Sequence, residues 1–322
     1  MNRSEILFLY DITDANPNGD PLDSNKPRID EETEKNIVTD VRLKRTIRDY
    51  LKEYKNQEIF IREIRNEDGD LNDAKTRAED FQSPDKDKYE NVEEAKKDIK
   101  TNILNECIDV RLFGATIPFN APIKTKKKDS SITLTGPVQF RMGRSLNKVE
   151  LNHIKGTGAF ASGKGKDQRT FREEYNLPYS LIGFYGVINE NAAKISAMTD
   201  DDTELLLDGI WNGTKNLITR SKFGQVPRFL LQIEYKENYF IGDLNNKIGI
   251  NYDLDDSKLI RNINQVEIDL TKLIKNIEEE KDKIVKIRYK IDSDVKIYDY
   301  DTISNLIEKI ESYGIETEEL IL

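Results

Sequence analysis

The sequence predicts an α+β fold around an antiparallel sheet, and two patterns carry that expectation. Short apolar or alternating runs read as strands at Ser4–Ile12 (SEILFLYDI), Ile132–Phe140 (ITLTGPVQF), Tyr179–Ile188 (YSLIGFYGVI) and Val226–Tyr235 (VPRFLLQIEY). Two segments with apolar residues at helical spacing, Thr39–Lys55 and Asp202–Arg220, fall after the first and after the third of these runs. Stripped of polar insertions, the order is strand, helix, strand, strand, helix, strand, which is the split βαβ or ferredoxin-like order.

The elements follow in turn. Ser4–Ile12 is apolar enough to be a buried strand, and Asp11–Pro27, with ANPNGDP at its centre, is a turn-rich loop. Thr39 or Asp40 caps the next helix. Val41, Leu43, Ile47, Tyr50, Leu51 and Tyr54 are expected to bury one side of it, leaving Arg42, Lys44, Arg45, Arg48, Lys52 and Lys55 for the rest of its surface. A short strand is expected at Glu58–Ile64. Asn66–Asp98 is polar and reads as an insertion rather than core. Asp98–Leu112 places Ile99, Ile103, Leu104 and Ile108 on one side of a helix. The strand at Ile132–Phe140 is bent at Gly136–Pro137. Gly143–Lys166, rich in Gly, Ser, Lys and Asn, is too long for a simple connection. In Asp202–Arg220, Leu205, Leu206, Ile210, Trp211 and Leu217 face inward. The C-terminal part is expected to add a long helix (Asp255–Lys283), a strand (Ile284–Ile291) and a helix (Thr302–Tyr313) stopped by Gly314. There is no internal repeat.

Composition bounds the function. A chain of 322 residues makes one or two domains, and 37% hydrophobic residues suggests an extended shape or long polar insertions. A single Cys (Cys107) and a single His (His153) exclude a disulfide framework and a Cys/His zinc site. No apolar run approaches the roughly 18 residues of a membrane span, and the run near the N-terminus is too short for a signal peptide. The expectation is a soluble cytoplasmic protein. The net charge is −10, yet Asn120–Tyr185 holds twelve basic residues against five acidic ones. Such a block either attracts a polyanion or is a solvated face. The basic helix beside a Gly/Asn turn suits a phosphate chain.

Catalytic motifs do not assemble. Gly158–Gly165 (GAFASGKG) approaches the phosphate-loop pattern but has Gly165 where the Mg²⁺-holding Ser/Thr belongs, and it lacks the strand–turn–helix setting. Gly156–Ala161 (GTGAFA) lacks that setting too. Asp11, Asp14, Asp20 and Asp23 crowd one loop and would hold Mg²⁺ if they converged, but Asn16, Asn18, Gly19 and Asp20 are better read as turn formers. His153 reads as a surface residue and Cys107 as a small buried hydrophobe.

With these residues in view, the chain resembles the Cas-seven family of RAMP proteins, the backbone subunit of type I CRISPR Cascade complexes, nearest to subtype I-B. The carriers are the first strand with its NPNGDP loop and Lys26-Pro27-Arg28, the helix VTDVRLKRTIRDY, the strand TGPVQFRMGRSL, and YSLIGFYGVIN with KFGQVPRFLLQIEY, spanning Arg3 to Tyr235. The resemblance implies a modified RRM-like palm with a helical finger insertion and a long thumb hairpin. The palm would take 1–55, 130–144 and 179–250, the finger 56–129, the thumb 145–178, and a C-terminal extension 251–322. It also implies a non-catalytic subunit that binds CRISPR RNA, stacks with its own copies in a helical filament, meets other Cascade subunits and displays the guide to a target DNA strand. No cofactor, metal or membrane is implied.

The RNA contacts so implied are Thr39, Arg42, Lys44, Arg45 and Arg48 on the helix, Gln139, Arg141, Arg144 and Ser145 at the strand end, Asn18 and Arg28 by the loop, and Lys164 and Lys166 by thumb position and charge. The chain lacks the aromatic motif with which ordinary RRMs stack bases, in keeping with a subunit that holds the backbone and leaves base edges free. The alternative is a type III-like backbone subunit that cleaves RNA with Mg²⁺ through Asp20 or Asp23.

Overall fold

The computed structural model describes residues 1–65, 73–83, 89–123, 127–161 and 169–322. In chain order the elements begin with β1 (Ser4–Ala15), β2 (Gly19–Asp20), β3 (Lys26–Asp30), β4 (Lys35–Val38), α1 (Asp40–Lys55), α2 (Ala74–Glu79), α3 (Val92–Glu106) and α4 (Ile108–Phe113). They continue with β5 (Gly114–Pro122), β6 (Lys127–Thr135), β7 (Val138–Phe140), β8 (Gly143–Ser145), β9 (Asn152–Ala161), β10 (Arg169–Ile188), α5 (Glu190–Ser196), α6 (Asp200–Lys215) and β11 (Val226–Tyr235). The C-terminal part has β12 (Gly249–Asn251), β13 (Glu267–Asp269), α7 (Thr271–Glu279), β14 (Ile284–Ile291), β15 (Lys296–Ile297), α8 (Ile303–Glu311) and β16 (Glu316–Glu319). The chain divides into two compact units.

One unit takes Arg3–Thr46, Phe140–Gly186 and Ile210–Leu322. Its large sheet runs β16-β14-β11-β1-β10-β8-β4-β3-β2 and is mostly antiparallel, with β9 paired to β10 outside this path. β1 lies inside the sheet, and Ile6–Leu9 are fully buried, which is why its sequence is apolar without alternation. Its polar residues are answered individually. The buried Glu5 carboxylate accepts from the Tyr185 and Tyr235 hydroxyls and from the Ile241 and Gly242 amides. Burial, and then Glu5 itself, pushes both phenols well above their ordinary range. The buried Asp11 accepts from Tyr179 Oη at 3.0 Å and pairs with Arg228 Nε at 3.1 Å. Burial raises the Asp11 carboxyl, with Arg228 pulling it back.

The other unit takes Met1–Asn2, Ile47–Gln139 and Val187–Gly209. Here the β5–β6 hairpin pairs from Gly114↔Thr135 to Pro122↔Lys127. Phe60, Phe81, Tyr89, Ile99, Ile103, Ile117, Phe119 and Ile132 form one core with it. Gly114 holds a φ of +69°, and a Cβ there would fall 2.2 Å from the Leu134 carbonyl oxygen, so the hairpin root requires glycine. Asp109, fully buried, accepts from the Phe60 and Ile61 amides at 2.8 and 3.1 Å and pairs with Arg48 Nε at 3.0 Å.

Several expectations need correction. No strand forms at Glu58–Ile64; Glu58 makes a single bridge to Cys107, and the Asp109 carboxylate takes up the amides of Phe60 and Ile61. Asn66–Asp98 is not coreless: Ala78, Phe81, Tyr89 and Ala95 are buried among the apolar residues of α3 and the hairpin. The helix begun at Asp98 starts earlier, at Val92, capped by Asn91, and breaks at Cys107 before α4. On α1, Leu43, Ile47, Tyr50 and Leu51 are buried, but Val41 and Tyr54 are exposed. The helix expected over Asp202–Arg220 ends at Lys215. Gly143–Lys166 is not all loop, since β9 pairs with β10 from Asn152↔Asn176 to Ala161↔Arg169.

The largest departure is Asp255–Lys283. Within it, an Asn262/Gln265 capping box closes a 3₁₀ turn at Ile263–Gln265. Val266, Ile268 and Leu270 are then buried with Glu267 exposed between them, a period of two that makes β13 rather than helix. Asp269 accepts from the Thr271 amide at 2.9 Å as α7 begins there.

Candidate nucleic-acid interface

The interface begins with strand register. Arg28 on β3 lies opposite Ile37 on β4, and Ile37 lies opposite Arg144 on β8. Directly opposed residues share a face of the sheet. Arg28 and Arg144 therefore project from the same face, two strand spacings or about 10 Å apart. The register is held from beneath. Ser145, buried, accepts from the Asn36 amide at 2.9 Å and donates to the Asn147 carbonyl at 2.6 Å. Gly143 lies against the buried Phe184 ring, 2.6 Å from where its Cβ would be, so no side chain fits at the inner start of β8.

A groove of about 240 Å³ opens beside Arg144. Lys35, Arg141 and Arg144 line it together with Tyr185, Asn245 and Asn246, and no carboxylate does. Arg141 lies over the Tyr185 ring, 5.3 Å from its centroid. A second groove, of about 600 Å³, is lined by Arg28, Lys26, Thr39, Asp20 and Asp23 and shares the exposed Met142 with the first. Three clustered cations and a run of amides can hold an anionic chain, with the guanidiniums as bidentate donors to phosphate.

Each guanidinium has a carboxylate partner at the rim. Arg28 pairs with Asp20 at 2.8 Å, Arg144 with Asp30 at 2.6 Å, and Arg141 with Asp243. Arg144 holds the Asp30 carboxyl below its usual range, and Asn246 and then Arg141 do the same for Asp243. Arg28, Arg141 and Arg144 are 33%, 59% and 50% exposed, so these pairs are worth little in water and can yield to a phosphate.

The helix residues have different surroundings. Asn18 Oδ1 accepts from the amide and hydroxyl of Thr39, both at 2.9 Å, and Thr39 Oγ1 accepts from the Arg42 amide at 3.3 Å, so the NPNGDP loop and the helix start form one capped structure. Arg42 donates to Thr46 Oγ1 at 2.9 Å, Lys44 pairs with Asp40 at 3.0 Å, and Arg45 is exposed. In the other unit, Arg48 is committed to Asp109 and lies over Phe113, while the exposed Gln139 donates to the Gly136 carbonyl at 2.9 Å. Lys164 and Lys166, and the Gly158–Gly165 loop from 162 onward, lie outside the described residues.

Sequence reasoning passed over Lys35, Asn245 and Asn246. Lys35 sits in an acidic run, and Asn245–Asn246 reaches the groove from a distant part of the chain, so no local signal pointed to them. Three of the four loop aspartates are engaged separately. Asp11 is buried with Arg228, Asp20 pairs with Arg28, and Asp23 pairs with Lys26 at 2.8 Å. Among the described residues no cluster of three or more His, Cys, Asp or Glu is arranged to hold a metal, and no helix is long and apolar enough to cross a membrane. Cys107 is buried, and burial pushes its thiol well up. His153 is exposed and stacks on Tyr175 at 4.6 Å.

The chain as a whole is similar to known proteins. The family model for CRISPR-associated protein Cas7 matches residues 2–271. CRISPR-associated protein Cas7 of Haloferax volcanii (strain DS2) is 34% identical over 288 residues, covering 84% of this chain and 81% of that protein. A chain of a solved CRISPR RNA-guided surveillance complex, pre-nicking, superposes with a TM-score of 0.53 at 11% identity, over 97% of this chain and all of that one. The last likeness is one of fold. The chain belongs to the Cas7 family of CRISPR-associated proteins.

Proposed function

We propose that this chain is the non-catalytic, CRISPR-RNA-binding backbone subunit of a type I Cascade complex, polymerising along the guide and displaying it for pairing with target DNA. The observation that carries the proposal is the groove lined by Lys35, Arg141 and Arg144, with its carboxylates Asp30 and Asp243 only at the rim, beside Arg28 on the same sheet face, in a chain whose total charge is −10. Such a groove holds phosphates and leaves base edges unread, so pairing supplies sequence specificity.

In this reading the large sheet belongs to a modified RRM-like palm of 1–55, 130–144 and 179–250, the finger is 56–129, and β9 with the paired part of β10 belongs to the thumb of 145–178, where Lys164 and Lys166 add charge. Thr39, Lys44 and Arg45 extend the contact along α1. The partners are CRISPR RNA, neighbouring copies and other Cascade subunits, in the cytoplasm. The separate engagements of Asp20 and Asp23 with Arg28 and Lys26 support a non-catalytic role over Mg²⁺-dependent cleavage.

The test is the RNA that accompanies the purified protein. Small RNA of uniform length with a shared repeat-derived end is expected. Absence of RNA, or RNA of random length and sequence, overturns the assignment. Regular-interval cleavage of complementary RNA by the assembled complex, abolished by Asp20→Ala, overturns the non-catalytic part.

A further inference from the structure

Glu5 is fully buried in β1, inside the large sheet, and its four hydrogen-bond donors are all neutral groups. Burying a charge among neutral donors is costly. What the carboxylate offers in return is acceptor capacity: two oxygens with about four lone-pair sites. A glutamine would present one oxygen and set its amide nitrogen against donors.

The two oxygens have different partners. Oε2 accepts from the Tyr235 hydroxyl and from the Ile241 amide, the amide at 2.9 Å. Oε1 accepts from the Tyr185 hydroxyl and from the Gly242 amide, again at 2.9 Å for the amide. Both Oε1 partners lead to the groove that Lys35, Arg141 and Arg144 line. Tyr185 is only 5% exposed, its carbonyl accepts from the Arg141 amide at 2.9 Å, and its ring carries the Arg141 guanidinium 5.3 Å from the centroid. A phenol that donates to a carboxylate has a more electron-rich ring, which attracts a guanidinium over its face more strongly. Gly242 begins a left-handed step in the backbone, with φ of +81° there and +58° at Asp243. Asp243 then pairs with Arg141 and accepts from Asn246 Nδ2 at 2.6 Å, and Asn245 and Asn246 line the same groove.

We propose that Glu5 is a positioning residue for RNA. Through Tyr185 it sets Arg141, and through the Ile241 and Gly242 amides it fixes the loop that brings Asp243, Asn245 and Asn246 to the groove. Being fully buried, Glu5 acts only through these groups. The inference rests on the reading of this groove as a site for a ribose-phosphate strand.

The test is a double-mutant cycle on binding of a single-stranded, repeat-derived RNA, read by filter binding across a salt series, with circular dichroism to confirm the fold. Arg141→Gln should make the log–log slope shallower by about 0.7, the loss of one phosphate contact. Tyr185→Phe keeps the ring and removes only the hydroxyl that reaches Glu5. It should weaken RNA binding about threefold, the worth of an exposed cation–π contact. Glu5→Gln should weaken it about tenfold, because the loop is released as well. In the Arg141→Gln background, Tyr185→Phe should have no further effect on affinity, whereas a merely structural loss would appear in both backgrounds. Tyr185→Phe carries the test if Glu5→Gln does not fold. Unchanged affinity in Tyr185→Phe, or a loss that persists in full in the Arg141→Gln background, overturns the proposal and leaves the groove reading standing. An unchanged slope in Arg141→Gln overturns the groove reading, and the proposal with it.

Discussion

Replacing Arg48 by Ala separates a cation that holds the fold from cations that hold a ligand. Arg48 stands in the same basic helix as Lys44 and Arg45, but its guanidinium is 11% exposed and lies 3.0 Å from a carboxylate that is fully buried. That carboxylate also accepts the Phe60 and Ile61 amides, so it cannot turn away to water without releasing them. Breaking a buried pair by removing one partner costs about 3–5 kcal/mol, because the remaining charge is left uncompensated. At about 1.4 kcal/mol per decade, exchange of the Phe60 and Ile61 amides should accelerate by roughly two to four orders of magnitude. Native-state hydrogen exchange reads those two amides directly. The same variant should leave the salt dependence of RNA binding unaltered. If exchange at Phe60 and Ile61 is unchanged while the salt slope falls, Arg48 is a ligand contact and the assignment of its role is wrong.

Other expectations follow from the same geometry. Asp243→Asn removes the rim carboxylate from Arg141 and should tighten RNA binding by up to about fivefold, the worth of a surface pair, as read by filter binding at fixed salt. Cys107 is buried with its thiol pushed well up, so iodoacetamide should not label the native protein but should label it in urea. Glu318 is held below its ordinary range, first by its bond from Lys286. Its stabilising contribution is therefore present above the ordinary carboxyl range and disappears as pH falls through the depressed value. The Leu320 amide, bonded to the Tyr289 carbonyl at 2.7 Å beside β16, should lose exchange protection below about pH 4, which hydrogen exchange across a pH series would show.

Elements whose pattern is local were legible in the sequence. Val226–Tyr235 and Ile284–Ile291 are strands with the boundaries their apolar runs indicate, and α8 is capped by Thr302 and followed by Gly314 at a φ of +81°. Asp255–Lys283 misled because its charged residues suit a helix, while Val266, Ile268 and Leu270 are drawn into the core at a period of two. The core around Phe81 and Tyr89 was hidden because two aromatic rings among polar residues reveal no period. At the groove, Arg141 and Arg144 were visible as a short motif. Their approach to Arg28 was not, since it passes through Ile37 and the β3–β4–β8 register, which no local segment encodes. Nor could the sequence separate Arg48 from Lys44, because Asp109, the partner that decides its role, lies 61 residues further on.

The most direct test of the central claim is the salt dependence of binding to a single-stranded, repeat-derived RNA, compared between the protein and an Arg28→Gln, Arg141→Gln, Arg144→Gln variant. Each phosphate contact contributes about −0.7 to the log–log slope. The triple variant should therefore have a slope shallower by about two, with the fold intact by circular dichroism. A slope equal to that of the unaltered protein would mean that these three guanidiniums do not hold the RNA strand.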